Sequence, residues 1–476
     1  MSTTRETSAG RRIEGLLDEG SFVEIGGDVT ARSTDFNMSA KKAPGDGVIT
    51  GYGTIDGNLV YVYSQDSTVL GGSMGEMHAK KISRIYSLAM KTGAPVIGMI
   101  DCAGLRLEET TDALAAFGGM YLDQASASGV IPQITAVYGM CGGGMALVPA
   151  LTDFTFMEKK AKVFVNSPNA IAGNYTAKCD TASADFQSTQ TGNIDFVGTE
   201  EEIADGIRKL ILLIPSNNAE TGIYADCSDD LNRETEGIDG GAADPAYVLA
   251  GVADEEDFFE VKASYAPEMV TGFIRLNGQT VGAVGNRIAT FDENGKEKDK
   301  YGKTLTAEGL KKAADFVRFC DAYEIPVLTL TSAAGFKADM AQEKEVAKAA
   351  AALAGVFASS TCAKVNLITG DTYGTAAVIM NSKSLGADMT FAWPTAGIGM
   401  MKAEDAAKII CGNDADAIAA KTSEYASLQN SAASAAARGY VDAIIEPEKT
   451  RKHLIAAFEM IYSKRETKPS RKHSTF

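Results

Sequence analysis

The chain has 476 residues, 45% hydrophobic and 22% charged, enough apolar content to build two large soluble domains. Its 62 Asp+Glu against 45 Lys+Arg leave a net charge of -17. That balance excludes a general nucleic-acid binder, which needs a basic face against phosphate, while a local basic pocket for a small polyphosphate stays open.

The N-terminal stretch MSTTRETSAGRRIEGLLDEG is polar and charged, so it lacks the apolar segment of a signal peptide. A hairpin is predicted over residues 50–60, TGYGTIDGNLV, with Asp56-Gly57 as its turn. Ile82, Ile85, Leu88 and Ala89 then recur at helical spacing until Gly93 stops the helix. After Pro95 comes VIGMI, a short wholly apolar strand of the kind buried on both faces. The turn CAGLR (102–106) ends it, and a second buried strand, ITAVYG, leads to a further turn, CGGGM (141–145). Residues 215–255 are acidic, polar and Gly-rich and read as a linker.

The same order then returns. TGFIRLNGQTV (271–281) is a hairpin turning at Asn277-Gly278, followed by a helix with Ala313, Phe316, Val317 and Cys320 inward. Pro326 and VLTL give a buried strand, SAAGFK (332–337) a turn, and Ala349 to Ala363 a buried Ala-rich helix. VNLITG is the next strand, and YGTAA (373–377) the turn after it. The two halves align at a constant offset of 231 from Lys80 on Lys311 through Gly104 on Gly335 to Gly143 on Gly374, with 221 for the hairpins. That is an internal duplication of one α/β unit.

Two strand-to-helix turns per unit carry the chemistry. Glycine after a buried strand lets the backbone approach a ligand, and helix N-termini present free N–H groups. Two such turns on neighbouring strands can aim two donors at one oxygen, an oxyanion hole suited to a thioester becoming an enolate. The alternative is that these glycines serve tight strand–helix packing alone. His78, beside Lys80, Lys81 and Arg84, offers a phosphate contact, against the alternative of a solvated helix face. Glu108 and Glu109 read as helix N-terminal charges or as acid/base carboxylates. The other two histidines, His453 and His473, lie in a charged C-terminal segment. The seven cysteines show no CxxC spacing, so no disulfide framework, zinc site or other metal site is expected, and reduced thiols in a cytoplasmic protein follow. No run reaches the roughly 20 apolar residues of a membrane span, so any membrane association would come through a partner.

Several long strings resemble one family: SQDSTVLGGSMGEMHAKKI (64–82), GAPVIGMIDCAGLRLEE (93–109), ASGVIPQITAVYGMCGGGMALVPALTDFTFM (127–157) and SKSLGADMTFAWPTAGIGMM (382–401). They are similar to the carboxyltransferase (β-type) subunits of biotin-dependent acyl-CoA carboxylases and of methylmalonyl-CoA and glutaconyl-CoA decarboxylases. The resemblance implies two tandem crotonase-like domains of ββα-spiral type, residues 1–230 on the acyl-CoA side and 231–476 on the biotin side. It implies transfer of a carboxyl group between carboxybiotin and a short acyl-CoA, of the propionyl/methylmalonyl type. No side-chain nucleophile is needed for that.

By the same resemblance, Gly143 and Gly144 hold the thioester oxygen, with Gly104 and Leu105 completing the pocket. Thr375 and Ala376 hold the biotin ureido oxygen near Gly335 and Phe336. Arg106 joins the substrate-binding set, and Val378 occupies the position that tunes acyl-chain choice. The family's Gly-Gly-Ala is here Gly374-Thr375-Ala376, which places a branched side chain at the site. Biotin is expected on a separate biotin carboxyl carrier protein, with a biotin carboxylase or a membrane decarboxylase subunit as further partner. A homo-oligomer, hexameric by family resemblance, is expected too. The rival readings are a biotin-independent crotonase-type hydratase, isomerase or hydrolase on CoA thioesters, and a non-catalytic scaffold subunit.

Overall fold

Asp56-Gly57 and Asn277-Gly278 each place two successive residues at positive φ, 47° and 82° in the first and 52° and 77° in the second. A two-residue turn of that kind matches the strand twist and fixes the register of the hairpin it closes. The computed structural model describes residues 6–32, 36–41, 43–220, 222–292, 296–412 and 414–472. The chain divides into two compact units, Met1–Thr221 and Gly222–Phe476.

In the first unit the strands are β1 (Val23–Glu24), β2 (Val48–Ile55), β3 (Asn58–Gln65), β4 (Val96–Cys102), β5 (Gln133–Gly142), β6 (Phe154–Glu158), β7 (Lys162–Phe164) and β8 (Phe196–Gly198). They lie in the order β1-β2-β3-β4-β5-β6-β8, with β7 paired to the end of β5. The hairpin β2–β3 is antiparallel, and from β3 onward every pairing is parallel. Helix α1 (Glu76–Thr92) crosses from β3 to β4, and α2 (Thr110–Ala127) crosses from β4 to β5. Ile82, Ile85 and Ala89 of α1 are buried, and Gly93 ends it at φ 64°.

The second unit repeats this plan. Its main sheet is β9 (Phe258–Val261), β10 (Met269–Leu276), β11 (Gln279–Asn286), β12 (Val327–Thr331), β13 (Lys364–Ile368), β14 (Met389–Ala392) and β15 (Ala443–Ile444). The order is β15-β14-β13-β12-β11-β10-β9. Helix α3 (Ala307–Ala322) connects β11 to β12 and buries Ala313, Phe316, Val317 and Cys320, as its spacing predicts.

The duplication extends to individual bonds. The Asp18 carboxylate accepts the N–H groups of Asp56 and Gly57 at 2.9 and 3.0 Å, and Asp254 accepts those of Asn277 and Gly278 at 3.0 and 2.6 Å. Arg208 holds Asp18 at 3.0 Å, and Arg451 holds Asp254 at 2.7 Å. Lys81 donates from inside α1 to the carbonyls of Gly45 and Val48, and its counterpart Lys312 donates to those of Lys262, Tyr265 and Ala266. The αL end of α1 at Gly93 is matched by Glu324, at φ 53°.

The predicted linker is corrected by the structure. Residues 238–253 belong to the core of the second unit, where Ile238, Val248, Leu249, Val252 and Ala253 are buried. A helix, Pro245–Val252, starts there with Asp244 capping the N–H of Ala246. Its acidic, Gly-rich flanks hid an apolar stripe. Among the described residues no helix is long and apolar enough to cross a membrane.

Candidate functional site

In the first unit, β4 and β5 run side by side and end together, with Cys102 opposite Cys141. Each strand then meets glycine. Gly104 has φ 114° and Gly143 φ 62°. The two turns adjoin: a Cβ built on Gly104 would lie 3.6 Å from the carbonyl oxygen of Gly142. Gly143 faces open space, with nothing within 4 Å of its would-be Cβ, whereas Gly144 packs beneath Tyr121, whose hydroxyl donates to its carbonyl at 2.6 Å. Open space at a positive-φ glycine is what a ligand atom needs to reach the backbone. Leu105 is half-buried and is pinned by a bridge to Met74.

The second unit places the corresponding turns after β12 and β13. Gly335 has φ 154° and Gly374 φ 64°. The N–H of Tyr373 donates to the carbonyl of Ala333 at 2.9 Å, which ties one turn to the other. Together they wall a cavity of about 600 Å³ lined by Gly335, Phe336, Gly374, Thr375 and Ala376. Helix Gly374–Ile379 begins at this wall, so its first N–H groups have no acceptor within the helix. The four residues expected on the biotin side are thus brought to one cavity. Val378 is 40% exposed and does not line it.

The cavity also carries Lys303 and Lys402, which the sequence reading passed over, and Tyr373, Met400 and Met401, which stand in strings it quotes but were given no role there. Lys303 pairs with Asp371 at 2.8 Å, and the Tyr373 hydroxyl donates to the same carboxylate at 3.4 Å. Burial raises the pKa of the Tyr373 phenol, so it stays neutral and keeps its proton to donate. Lys303 stands in a polar run, KEKDKYGKT, with no period to mark it.

The expected phosphate contacts at α1 are partly overturned. His78 is fully buried, its Nδ1 2.9 Å from the carbonyl of Asp46 and its Nε2 3.1 Å from Gln65 Nε2. Burial, and next the charge of Arg106, push its pKa down to about 3. Lys81 is buried on carbonyls, and burial lowers its pKa to about 8. Neither side chain reaches solvent, so neither fits a phosphate contact or a solvated helix face. Lys80 and Arg84 are exposed, Lys80 bonded to Glu76 at 2.7 Å.

Arg106 is 1% exposed and donates to Asp46 at 2.6 Å, Glu109 at 2.8 Å and the carbonyl of Ser73 at 2.7 Å. It therefore faces the interior, with its guanidinium taken up by partners within the unit. Glu109, buried against Arg106 and accepting the N–H of Glu76 at 2.7 Å, is neither a free helix-end charge nor an open acid/base group. Glu108 pairs with Lys41 at 2.6 Å. Burial raises the pKa of Asp46, an effect its bond to Arg106 opposes. His473 lies outside the described residues, and His453 is half-buried near the Phe391 ring at 6.1 Å. Among the described residues no group of His, Cys, Asp and Glu could hold a metal ion.

Comparison with known proteins agrees with this architecture. The family model described as "Carboxyl transferase domain" matches residues 4–476. The chain is 39% identical to the propionyl-CoA carboxylase beta chain of Roseobacter denitrificans, over 98% of this chain and 92% of that one. It is 37% identical to the methylmalonyl-CoA decarboxylase subunit alpha of Veillonella parvula, with 98% and 92% covered. It is also 37% identical to the methylmalonyl-CoA carboxyltransferase 12S subunit of Propionibacterium freudenreichii subsp. shermanii, with 98% and 91% covered. A crystal structure of transcarboxylase 12S, a hexamer with hydrolysed methylmalonyl-coenzyme A bound, superposes with a TM-score of 0.91 at 36% identity, covering 98% and 92%. Both units have the crotonase-like fold, and the chain belongs to the carboxyltransferase family of biotin-dependent acyl-CoA carboxylases and decarboxylases.

Proposed function

We propose that Gly104, Leu105, Gly143 and Gly144 receive the carbonyl oxygen of a propionyl- or methylmalonyl-type CoA thioester, and that Gly335, Phe336, Thr375 and Ala376 receive the ureido oxygen of biotin. The first unit is then the acyl-CoA side and the second the biotin side. The observation that carries this reading is the cavity of about 600 Å³ that gathers all four second-unit residues. It is roomy enough for a small bicyclic ring, and its wall of backbone turns offers N–H groups to a carbonyl-like oxygen.

Biotin, delivered on a separate carrier protein, supplies or takes up the carboxyl group there. The chain's own part is electrostatic. As the thioester becomes an enolate, by giving its α-proton to the biotin nitrogen or, in the decarboxylation direction, by giving up its carboxyl group, negative charge gathers on the carbonyl oxygen, and fixed backbone N–H groups would stabilise it without reorganising. One such donor contributes about 10²- to 10³-fold in rate. Tyr121 and the sheet beneath hold Gly144 so that these donors stay in place.

A biotin carboxyl carrier protein, and either a biotin carboxylase or a membrane decarboxylase subunit, complete the proposed assembly. Exposed apolar residues such as Leu122 in α2 at 67% and Ile409 at 73% suit burial between copies, and the hexameric 12S relative supports six. Thr375, exposed on the cavity wall, favours one second reading: a site narrowed against biotin that keeps CoA-thioester chemistry alone.

The test is CO2 release by the full-length subunit from malonyl-, methylmalonyl- and glutaconyl-CoA, each with and without free biotin, beside Gly143→Val. Biotin-dependent release that Gly143→Val abolishes is the expected result and identifies the acyl group. Tight thioester binding with no release under any condition would move the reading to biotin-independent chemistry or a scaffold.

A further inference from the structure

Among the described residues, the first unit holds a polar chain, buried from Arg106 to Gln65 and half-buried at Asp101, that its twin lacks. It begins at Arg106, directly after the Gly104–Leu105 turn. Arg106 grips the carbonyl of Ser73 at 2.7 Å, while the N–H of Met74 donates to the carbonyl of Gly104 at 2.8 Å and the N–H of Arg106 donates to that of Met74 at 3.0 Å. The approach is close enough that a Cβ on Gly75 would lie 2.4 Å from both Arg106 and Glu109. Arg106 then bonds Asp46 at 2.6 Å, and Asp46 accepts the N–H of His78 at 2.8 Å.

From His78 onward each link orients the next. Burial keeps the imidazole neutral, and the Asp46 carbonyl facing Nδ1 places the single proton there. Nε2 is then an acceptor and takes a hydrogen from the amide nitrogen of Gln65 at 3.1 Å. That fixes which end of the amide is which, so Gln65 Oε1 points to the N–H of Asp101 at 3.2 Å. Asp101 in turn accepts from the N–H of Met140 at 3.3 Å and from the Ser67 hydroxyl at 2.8 Å. Met140 lies on β5, three residues before Gly143. The chain therefore runs from the first glycine turn to the strand that carries the second.

In the second unit the counterpart of Gln65 is Asn286, one methylene shorter. Both ends of its amide close on Ser332, at 2.8 and 2.7 Å, and reach no histidine. The positions matching Asp46, His78 and Arg106 are Pro267, Gly309 and Lys337. The duplicated scaffold keeps the local clamp in both halves and extends it into a charge network in one.

We propose that Arg106, Asp46, His78, Gln65 and Asp101 are positioning residues that set the spacing of the Gly104–Leu105 and Gly143–Gly144 turns, and so the aim of their N–H groups. This rests on those turns being the thioester site. Gln65 is the link to cut, because a leucine of similar size removes both of its bonds without burying a charge. In the full-length subunit, Gln65→Leu is expected to lower kcat for biotin-dependent decarboxylation about 10- to 100-fold, with KM for the CoA thioester changed less than about threefold. Ser67→Ala, at a half-buried position that tolerates the loss of a hydroxyl, should give a smaller kcat loss of the same kind if Gln65→Leu does not fold. A folded Gln65→Leu or Ser67→Ala with wild-type kcat, beside an inactive Gly143→Val, overturns the positioning role alone. Full activity in Gly143→Val overturns the thioester reading beneath it.

Discussion

Lys312 is 2% exposed, its Nζ within hydrogen-bond reach of three backbone carbonyls in a fold core. Burial lowers its pKa to about 7, against about 10.4 in an unfolded chain. Between those values the unfolded chain holds more protons than the folded one, so stability rises with pH across that window. Lys312→Met should flatten the rise from pH 7 to pH 10 in urea unfolding. Near pH 10, where the wild type no longer carries the cost of deprotonating this group, the variant should be less stable by about 1–3 kcal/mol, because the carbonyls lose their donor. An unchanged slope would mean the ammonium is not its source. The counterpart Lys81 shows what was legible at this scale. The four glycine positions could be read because strand, turn and helix signals frame them. His78 and Lys81 were misread because their charge was weighed above their place. With Ile82, Ile85 and Ala89 they sit at steps of three, four, seven and eleven, one face of one helix, and that period was the signal.

The hairpin brackets make a matched pair of different strengths. Arg451 is fully buried and bonds Asp254 and the carbonyls of Asp230 and Val252, while Arg208 is about a quarter exposed. Removing a buried partner strands a charge, so Arg451→Met should cost about 3–5 kcal/mol in chemical unfolding. Arg208→Met, with solvent to take its place, should cost about 1 kcal/mol or less. Equal losses would refute the contrast. Elements with a clean period were legible: both hairpins, α1, α3 and the apolar strands after Pro95 and Pro326. The helix Pro245–Val252 was not, since eight residues between acidic, Gly-rich flanks give too short a window for a helical period to stand out. The network from Arg106 to Asp101 was out of reach as well. It joins residues from positions 46 to 140 that only sheet pairing brings together.

At the scale of the molecule, the proposed hexamer of a 50.0 kDa chain has a mass of about 300 kDa, which light scattering after size exclusion would read directly. A 50 kDa particle at working concentration would remove the assembly from the proposal. The cysteines supply a different instrument. Cys102 and Cys141 are buried in the first unit, Cys320 and Cys362 in the second, while Cys179 is exposed. Burial raises the pKa of all four interior thiols, Cys102 to about 11, so none reacts while its unit is closed. Under a slow thiol reagent Cys179 should therefore modify first. The interior pairs should follow at rates set by how often each half opens. Peptide mapping of those rates, with and without a CoA thioester, would show which half the substrate closes.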